Sequence, residues 1–426
     1  MTLFVFTFSL LGAMALGMPV AFALMVCGVA LMWQVGMFDA QVLAQNLVDG
    51  ADSYPLLAVP FFLLAGELMN AGGLSRRIVA SAMALIGHVR GGLGYVAIAA
   101  ALIMASLSGS AIADTAALAA LLVPMMREAG YNTGRAGGLM AAGGIIAPVI
   151  PPSIGLVLFG TIAGVSVTKL FLAGIVPGVL MGVSLVVTWW WVSRRDGVRP
   201  APRQSARQML VAFGTAFWAL LLPLFIVFGL KFGVFTPTEA AVVAAVYSGF
   251  VGMAIYRELT WARLYESMVS AAKTSAVVMF LVAAALVSAW LITVANIPDQ
   301  LIGILKPFIG QPMLLMVLMM LVVLIVGTAL DFTPTVLILT PVLMPLVKES
   351  GIDPVYFGVL FIINNAIGLI TPPVGNVLNV VCSVARMPMG EAVRGVMPFL
   401  WAETLVLVLL VFWPGLVTGP LHWLTH

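Results

Sequence analysis

Apolar stretches long enough to cross a membrane follow one another along the whole chain, with short polar segments between them. A helix needs about 20 apolar residues to cross the hydrocarbon core of a bilayer. The pattern therefore predicts an all-α polytopic membrane protein. We expect full spans at residues 2–34, 55–70, 136–165, 168–192, 209–230, 236–256, 270–297, 355–385 and 396–420.

Two further apolar segments, residues 91–126 and 312–347, are interrupted by small polar residues. The first interruption is Ser108-Gly109-Ser110, and the second runs from Gly327 to Thr335. Polar, irregular backbone at membrane depth is tolerated only where it is buried in protein or lines a cavity. We therefore predict that each segment is a re-entrant hairpin, which enters and leaves the membrane on the same side.

Two other segments mix apolar and polar positions at roughly helical spacing, namely residues 38–53 and 75–88. This pattern is typical of interfacial helices that lie along the membrane surface. It is equally typical of connecting helices that pack on the bundle, so both alternatives stay open.

Composition supports the membrane assignment, because 62% of the 426 residues are hydrophobic and only 8% are charged. Average soluble chains carry about 25% charged residues. The first span has almost no basic flank and no cleavage site, so we expect a retained helix rather than a signal peptide. Cys27 and Cys382 lie in apolar segments and indicate no disulfide framework, and a net charge of +3 gives no reason to expect nucleic-acid binding.

Lys and Arg concentrate in short cytoplasmic loops of membrane proteins, so their distribution predicts orientation. If the spans alternate, one side carries Arg76, Arg77, Arg90, Arg127, Arg135, Arg194, Arg195, Arg199, Arg203, Arg207, Arg257, Arg263, Lys273, Arg386 and Arg394. The opposite side carries Asp39, Asp49, Asp52, Lys231, Asp299, Lys306, Lys348, Glu349 and Asp353. We therefore predict a cytoplasmic N-terminus, a periplasmic C-terminus and a cytoplasmic loop at 193–207. The first hairpin then opens to the cytoplasm and the second opens outward.

The chain contains an internal repeat. Residues 110–152 align without a gap on residues 331–373, so that each residue matches the one 221 positions later. The aligned pairs include Pro124 with Pro345 and Glu128 with Glu349, and the Pro-Pro pair at 151–152 falls on the pair at 372–373. Since the charge pattern places the two copies on opposite sides of the membrane, we predict the inverted repeats of a secondary transporter.

Each repeat has two breaks, a hairpin tip and a Pro-Pro pair within the following helix. Proline frees backbone carbonyls from the helix, and such carbonyls coordinate Na⁺ in broken transporter helices. Helix N-termini attract carboxylates. The breaks thus predict a cation-coupled carrier of organic anions. The first set is Ser108, Gly109, Ser110, Ala147, Ile150, Pro151, Pro152 and Ser153; the second is Gly327, Thr328, Asp331, Phe332, Thr333, Pro334, Thr335, Asn364, Asn365, Gly368, Thr371, Pro372, Pro373, Gly375 and Asn376.

Asp331 is the most informative single residue, because a carboxylate within a membrane segment usually serves function. The alternative is an N-cap for the second arm of the hairpin, and both roles can hold. Asp114 lies one turn beyond the first tip, where bracing of the tip and direct binding both remain open. Glu239 is expected to cap a helix, with a direct role in transport as the alternative. Glu403, together with Glu67, is expected near the membrane interface.

Other function classes lack their motifs. No phosphate-binding G-x-x-x-x-G-K-[ST] sequence occurs, so direct use of ATP is not expected. The 3 histidines, at positions 88, 422 and 426, are remote from both tips in the sequence. No nucleophile–base pair is evident, so we do not expect an enzyme.

Five motifs carry a family resemblance: SLSGSAIADTAA, GGIIAPVIPPS, FTPTEAA, DFTPTVLILTPVLMPL and GLITPPVGN. They resemble the large membrane subunit of tripartite ATP-independent periplasmic (TRAP) transporters, and the resemblance covers essentially the whole chain. It implies an elevator-type ion-transporter fold, in which a mobile domain with both hairpins moves against a scaffold. It also implies two protein partners, a small membrane subunit of about four helices and a periplasmic solute-binding protein, in the bacterial inner membrane.

The resemblance also assigns roles to residues. The family's sodium sites fall on Ser108, Ser110, Ala147, Ile150 and Pro152, and on Gly368 and Thr371. Substrate contacts are expected at Ser110, Asp331, Thr333, Asn364 and Asn365, and structural roles at Gly109, Asp114, Pro151, Ser153, Pro372, Pro373, Gly375 and Asn376. Family members often have glycine at the position of Ala147. Na⁺ is the expected coupling ion, without a further cofactor.

The expected substrate is a small carboxylate, such as the sugar acid 2,3-diketo-L-gulonate, a dicarboxylate or a sialic acid.

The expected domains are scaffold helices at 1–90 and 166–311, repeat 1 at 91–165, repeat 2 at 312–385 and a C-terminal helix at 386–426. The alternative function is a stand-alone Na⁺- or H⁺-coupled anion symporter that needs no binding protein.

Overall fold

The computed structural model describes residues 2–194, 203–297, 300, 303, 308 and 310–425. This part of the chain contains helices and no strand. Eight of these helices are long and apolar enough to cross a membrane, which confirms the all-α polytopic architecture. Part of the predicted loop 193–207, including Arg195 and Arg199, lies outside the described residues, as do Asp299, Lys306 and His426.

The helices follow in chain order, together with a 3₁₀ turn at Tyr54–Leu57 and a π turn at Val251–Ile255. They are α1 (Thr2–Ala15), α2 (Val20–Val35), α3 (Ala40–Ala51), α4 (Ala58–Ala71), α5 (Leu74–Ile86), α6 (Gly92–Ser108), α7 (Ala111–Glu128), α8 (Thr133–Gly144), α9 (Ile154–Ala163), α10 (Val167–Ser193), α11 (Ala206–Lys231), α12 (Pro237–Phe250), α13 (Trp261–Val294), α14 (Pro312–Ala329), α15 (Phe332–Glu349), α16 (Pro354–Gly368), α17 (Asn376–Ala385), α18 (Met389–Phe412) and α19 (Gly415–Thr425).

The predicted first span, residues 2–34, is wrong as a single helix. Gly17 has a φ of +81°, which favours glycine, and it turns the chain between α1 and α2. The two helices pack against each other, and the Cys27 thiol lies 3.5 Å from the carbonyl oxygen of Phe6. The two helices are therefore antiparallel, so the start of α1 and the end of α2 lie at the same end of the pair. The predicted cytoplasmic N-terminus assumed that residues 2–34 cross the membrane once. With two antiparallel helices in this segment, that orientation no longer follows from the alternation of the spans.

Both predicted hairpins are pairs of packed helices. The first consists of α6 and α7, with Gly109 at its tip, and the second of α14 and α15, with Leu330 and Asp331 at its tip. The arms contain 17 or 18 residues. Such helices extend about 26 Å, so each arm reaches most of the way across the roughly 30 Å hydrocarbon core of a bilayer.

The two predicted broken spans are present as well. α8 ends at Gly144 and α9 begins at Ile154, whereas α16 ends at Gly368 and α17 begins at Asn376. The Pro151-Pro152 and Pro372-Pro373 pairs lie within these breaks, and both Pro-Pro peptide bonds are cis.

The two halves exchange their broken helices. α9, from the first half, packs on α15 and α16 of the second, and α17 packs in turn on α7 and α8. α10 and α18 pack on each other and on the broken helices. We call the set α6–α10 and α14–α18 the hairpin body. The predicted domains place 166–311 in the scaffold and 386–426 apart, and that division stays a prediction.

A second group of helices packs beside the hairpin body. α2, α3 and α4 pack on α13, α4 packs on α12, and α5 packs on α11. We call this set, with α1, the outer body. The predicted surface segments correspond to α3 and α5, which pack on other helices of the bundle. The two bodies meet mainly where α5 packs on α6 and α13 on α15.

Arginine-rich loops that are distant in the sequence come together in space. The Glu258 carboxylate forms ion pairs with Arg76 and Arg77, the latter at 2.7 Å. The Arg90 guanidinium lies 3.4 Å from the carbonyl oxygen of Arg194. Each of these two contacts joins loops that are distant in the sequence, and the side of the membrane that they face stays a prediction.

Candidate ion and substrate site

The first hairpin tip is built around a buried carboxylate. Ser110 caps α7 by accepting a hydrogen bond from the backbone N–H of Ala113 at 3.4 Å. The Ser108 hydroxyl donates to the Asp114 carboxylate and accepts from the Ser110 N–H at 3.2 Å. Asp114 is only 2% exposed, and its Oδ2 atom has no hydrogen-bond partner in the described part of the chain. Asp114 thus braces the tip and retains one free oxygen.

The first break is fully enclosed, because every residue from 141 to 160 is buried. The Ser153 hydroxyl accepts from the Leu156 N–H at 3.1 Å, which caps α9, and donates to the Pro148 carbonyl. The carbonyl oxygens of Ala147, Ile150 and Pro152 accept no hydrogen bond from the residues that the structure describes. Buried carbonyls normally have a partner, so these three are candidates for ion ligands.

The first tip touches the first break. A Cβ atom added to Gly109 would lie 2.8 Å from the Pro152 carbonyl oxygen and 3.0 Å from the Ile154 nitrogen. Gly109 also has a φ of +62°, so both space and conformation require glycine here. The contact places the tip that carries Ser108 and Ser110 next to the Pro152 carbonyl. Hydroxyl and carbonyl oxygens in broken transporter helices suit Na⁺.

The second tip is more open. Asp331 is exposed and caps α15, because its carboxylate accepts from the Phe332 N–H at 2.8 Å. The Thr335 hydroxyl donates to the Asp331 carbonyl oxygen at 2.9 Å, and Thr333 is half-buried on the same turn. The capping alternative is therefore realised, and the exposed carboxylate also remains accessible to a ligand.

Two fully buried asparagines hold the second hairpin from α16. The Asn365 amide donates to the Phe332 carbonyl oxygen at 2.9 Å, and the Asn364 amide donates to the Met320 carbonyl oxygen. Within the described residues, neither Oδ1 atom has a hydrogen-bond partner. Buried polar atoms of this kind require an explanation, and a bound ligand is one.

The second break packs closely on the second hairpin. A Cβ atom on Gly368 would lie 2.7 Å from the carbonyl carbon of Gly327. The Gly368 carbonyl accepts from the Thr371 N–H at 3.1 Å, and the Thr371 hydroxyl donates to the Ile367 carbonyl at 2.8 Å. Pro372 and Asn376 are half-buried, Pro373 is exposed, and Gly375 starts α17 with a φ of +54°. The predicted ligands of the second ion site are thus partly engaged in hydrogen bonds.

The two sets of breaks meet through one aromatic side chain. A Cβ atom on Gly155 would lie 2.6 Å from the ring of Phe332. The second tip therefore contacts α9 two residues after the cap at Ser153. The sequence pointed to both tips but not to this contact. The sequence signal for this contact is Gly155, the small residue directly after the motif PPSI.

Three other carboxylates were expected outside the site. Glu239 forms the predicted cap, since its carboxylate accepts from the Thr236 N–H at 2.8 Å. Glu67 is half-buried and accepts from the Ser270 hydroxyl at 2.9 Å. The interfacial prediction for Glu403 is wrong, because α18 begins at Met389, so that Glu403 lies in mid-helix and is 0% exposed.

The sequence is similar to those of known proteins. The sequence profile of the family described as "Tripartite ATP-independent periplasmic transporter, DctM component" matches residues 7–416. The 2,3-diketo-L-gulonate TRAP transporter large permease protein YiaN of Escherichia coli is 57% identical, with 100% of each chain covered. The sialic acid TRAP transporter large permease protein SiaM of Vibrio cholerae is 38% identical, with 96% of this chain and 95% of that protein covered.

A solved structure shares the fold. The YdaH transporter of Alcanivorax borkumensis superposes with a TM-score of 0.63, covering 90% of this chain and 91% of that one, at 18% sequence identity. This likeness concerns the fold alone. The profile match and the full-length relatives, which are permeases rather than enzymes, show the family. The chain belongs to the DctM component family of tripartite ATP-independent periplasmic transporters, the large permease subunits, as its motifs predicted.

Proposed function

We propose that this chain imports a small organic acid by coupling its movement to Na⁺. The observation that carries the proposal is the enclosed group of carbonyls of Ala147, Ile150 and Pro152, which accept no hydrogen bond from the described residues. Of these, the Pro152 carbonyl packs against Gly109 at the first tip. Ser108 and Ser110 add hydroxyl oxygens, and Asp114 adds a carboxyl group behind them. Such a set of oxygens suits a monovalent cation.

The substrate is proposed to bind between the tips. α7 and α15 both begin there, and helix N-termini favour the carboxylate of an organic acid. The Asp331 carboxylate would repel the carboxylate of the substrate. We therefore propose that Asp331 binds hydroxyl groups of the substrate or a cation. Thr333 offers a further polar contact, and the free Oδ1 atoms of Asn364 and Asn365 lie behind the tip.

The proposed movement is of the elevator type. The reciprocal exchange of α9 and α17 supports inverted repeats, since each half supplies a helix to the other. We propose that the hairpin body, including α10 and α18, moves against the outer body and carries both tips with it. Because the tips and breaks belong to one body, ion and substrate would move together.

The substrate class is proposed from the relatives. Full-length similarity to a permease for 2,3-diketo-L-gulonate favours a sugar acid, and a sialic acid, which the more distant relative carries, is the second choice. We further propose a periplasmic binding protein that delivers the substrate and a small membrane subunit of about four helices. The family's description as tripartite and periplasmic supports both partners and a location in the bacterial inner membrane.

Uptake into proteoliposomes tests this proposal. The vesicles contain this chain and the small membrane subunit, the binding protein is added outside, and labelled sugar acid is supplied. An inward Na⁺ gradient should drive accumulation, and a proton gradient without Na⁺ should not. Accumulation on the proton gradient alone would refute Na⁺ coupling. Accumulation without the binding protein would favour the stand-alone symporter instead.

A further inference from the structure

Glu403 is a buried carboxylate that the proposed site does not use. It lies in the middle of α18, is 0% exposed and faces Ser184 on α10. Its Oε1 atom is 3.4 Å from the Ser184 hydroxyl, and its Oε2 atom has no hydrogen-bond partner in the described part of the chain. An ionisable side chain within a membrane helix usually serves a function.

No counter-charge lies beside this carboxylate on the helices that pack most closely against α18. On α8, Arg135 lies near Glu391 and Arg394, at the start of α18, about 13–18 Å along the helix from Glu403. On α10, Lys169 and the C-cap Arg194 lie about 22 Å and 15 Å along the helix from Ser184. On α16, the Tyr356 hydroxyl donates to the Leu410 and Val411 carbonyls. On α17, Cys382 contacts Met389, and α14 has no titratable residue.

The hydrogen bonds around Ser184 indicate where the protons lie. The Ser184 hydroxyl has one proton, and the Met181 carbonyl oxygen accepts it at 2.7 Å. The Ser184 hydroxyl also lies within donating distance of the Glu403 carboxyl group, at 3.4 Å, and protonation of Glu403 would let both contacts be hydrogen bonds at once. Burying an ionised carboxylate without a counter-charge is also far less favourable than burying the neutral acid. The geometry thus fits a relay in which Glu403 donates to Ser184 and Ser184 donates to Met181.

We propose that Glu403 is a proton-binding site of the hairpin body, separate from the two tips, and that its proton exchange makes transport depend on pH. The unpartnered Oε2 atom shows that the acid is not locked into a closed network. When the contact between α10 and α18 loosens within the hairpin body during the transport cycle and water enters, the carboxylic acid transfers its proton to that water and becomes a carboxylate. Ionised Glu403 disfavours the closed contact, so uptake falls as pH rises. The pH dependence rests on the proposed transport function.

Infrared spectroscopy of the purified protein tests proton binding without transport. The wild type should show the C=O stretch of a protonated carboxylic acid, and part of that band should be lost in Glu403→Gln. The matched control is Glu349→Gln, an exposed glutamate at the end of α15, which should leave the band unchanged. An identical band in Glu403→Gln and the wild type would overturn the proposal.

Uptake at a fixed Na⁺ gradient tests proton exchange. Wild-type uptake should fall about tenfold over about two pH units, whereas Glu403→Gln should stay within about twofold, because the amide cannot ionise. Ser184→Ala keeps the acid but removes its acceptor, so it should shift the midpoint of the profile, which gives a second readout if Glu403→Gln does not fold. If the pH profile of uptake by Glu403→Gln equals that of the wild type, proton exchange at Glu403 is refuted. Where only Ser184→Ala folds, an unchanged pH profile in that variant refutes it. Dependence on Na⁺ should persist in all variants; its absence from the wild type would instead contradict the proposed function.

Discussion

The ring of Phe332 packs directly on the backbone of Gly155, so that a Cβ atom there would lie 2.6 Å from the ring. Phe332 follows the tip of the second hairpin, and Gly155 lies in the first turn of the helix after the first break. This contact joins the two halves of the proposed site. It also shows that two segments distant in the sequence are in direct contact at the place where we propose that the ion and the organic acid bind.

Gly155→Ala should uncouple the two tips. The added methyl group would displace the Phe332 ring, and overpacking of this kind costs about 1–3 kcal/mol. We expect the initial rate of uptake to fall about tenfold, with the protein still folded. The matched control is Gly214→Ala, a helical glycine on α11 with open space around its Cβ position, which should behave as wild type. If Phe332→Ala does not restore part of the loss in the double variant, the clash is not the cause.

Asp331 has two roles that substitutions can separate. Asn caps helices about as well as Asp, so Asp331→Asn should keep the stability of α15 but remove the charge. Asp331→Ala loses the cap as well, which costs about 1 kcal/mol of stability. We expect both variants to lose uptake, and only the alanine variant to lower the melting temperature. Wild-type uptake by Asp331→Asn would leave capping as the only role.

Ser108→Ala should weaken the first ion site. The change removes the hydroxyl that donates to the buried Asp114, and the loss of a buried partner costs about 1–3 kcal/mol. The Na⁺ concentration for half-maximal uptake should therefore rise about tenfold or more. Ser106→Ala is the control, because among the described residues this buried hydroxyl bonds only to the Ile103 carbonyl, one turn back. Equal effects of the two variants would argue against an ion site at the tip.

The antiparallel pair of α1 and α2 makes a prediction about sidedness. In a variant without the native cysteines, single cysteines at Thr2 and Phe38 should react with a membrane-impermeant reagent from the same side of the membrane. A cysteine at Arg135, which is predicted to lie on the cytoplasmic side, serves as the marker for that side of the membrane. Reaction of positions 2 and 38 from opposite sides would restore the single predicted span.

Much of the site could be predicted from the sequence, because its features are local. Proline pairs and small polar residues inside apolar runs marked both hairpins and both broken helices, at nearly their observed bounds. The turn at Gly17 was missed because a run of membrane length can form one helix or two. Glu403 was misplaced because α18 starts earlier than hydrophobicity indicated. The contact of Phe332 with Gly155, and the grouping of α10 and α18 with the hairpins, depend on packing between distant segments, which periodicity does not encode.

Simultaneous flux of labelled Na⁺ and labelled substrate in the same proteoliposomes tests the central claim most directly. If the ion and the organic acid share a site carried by one body, Na⁺ should enter with substrate in a fixed ratio. Ser108→Ala should lower both fluxes together, and Ser106→Ala should lower neither. Substrate accumulation without any accompanying Na⁺ flux would contradict the account.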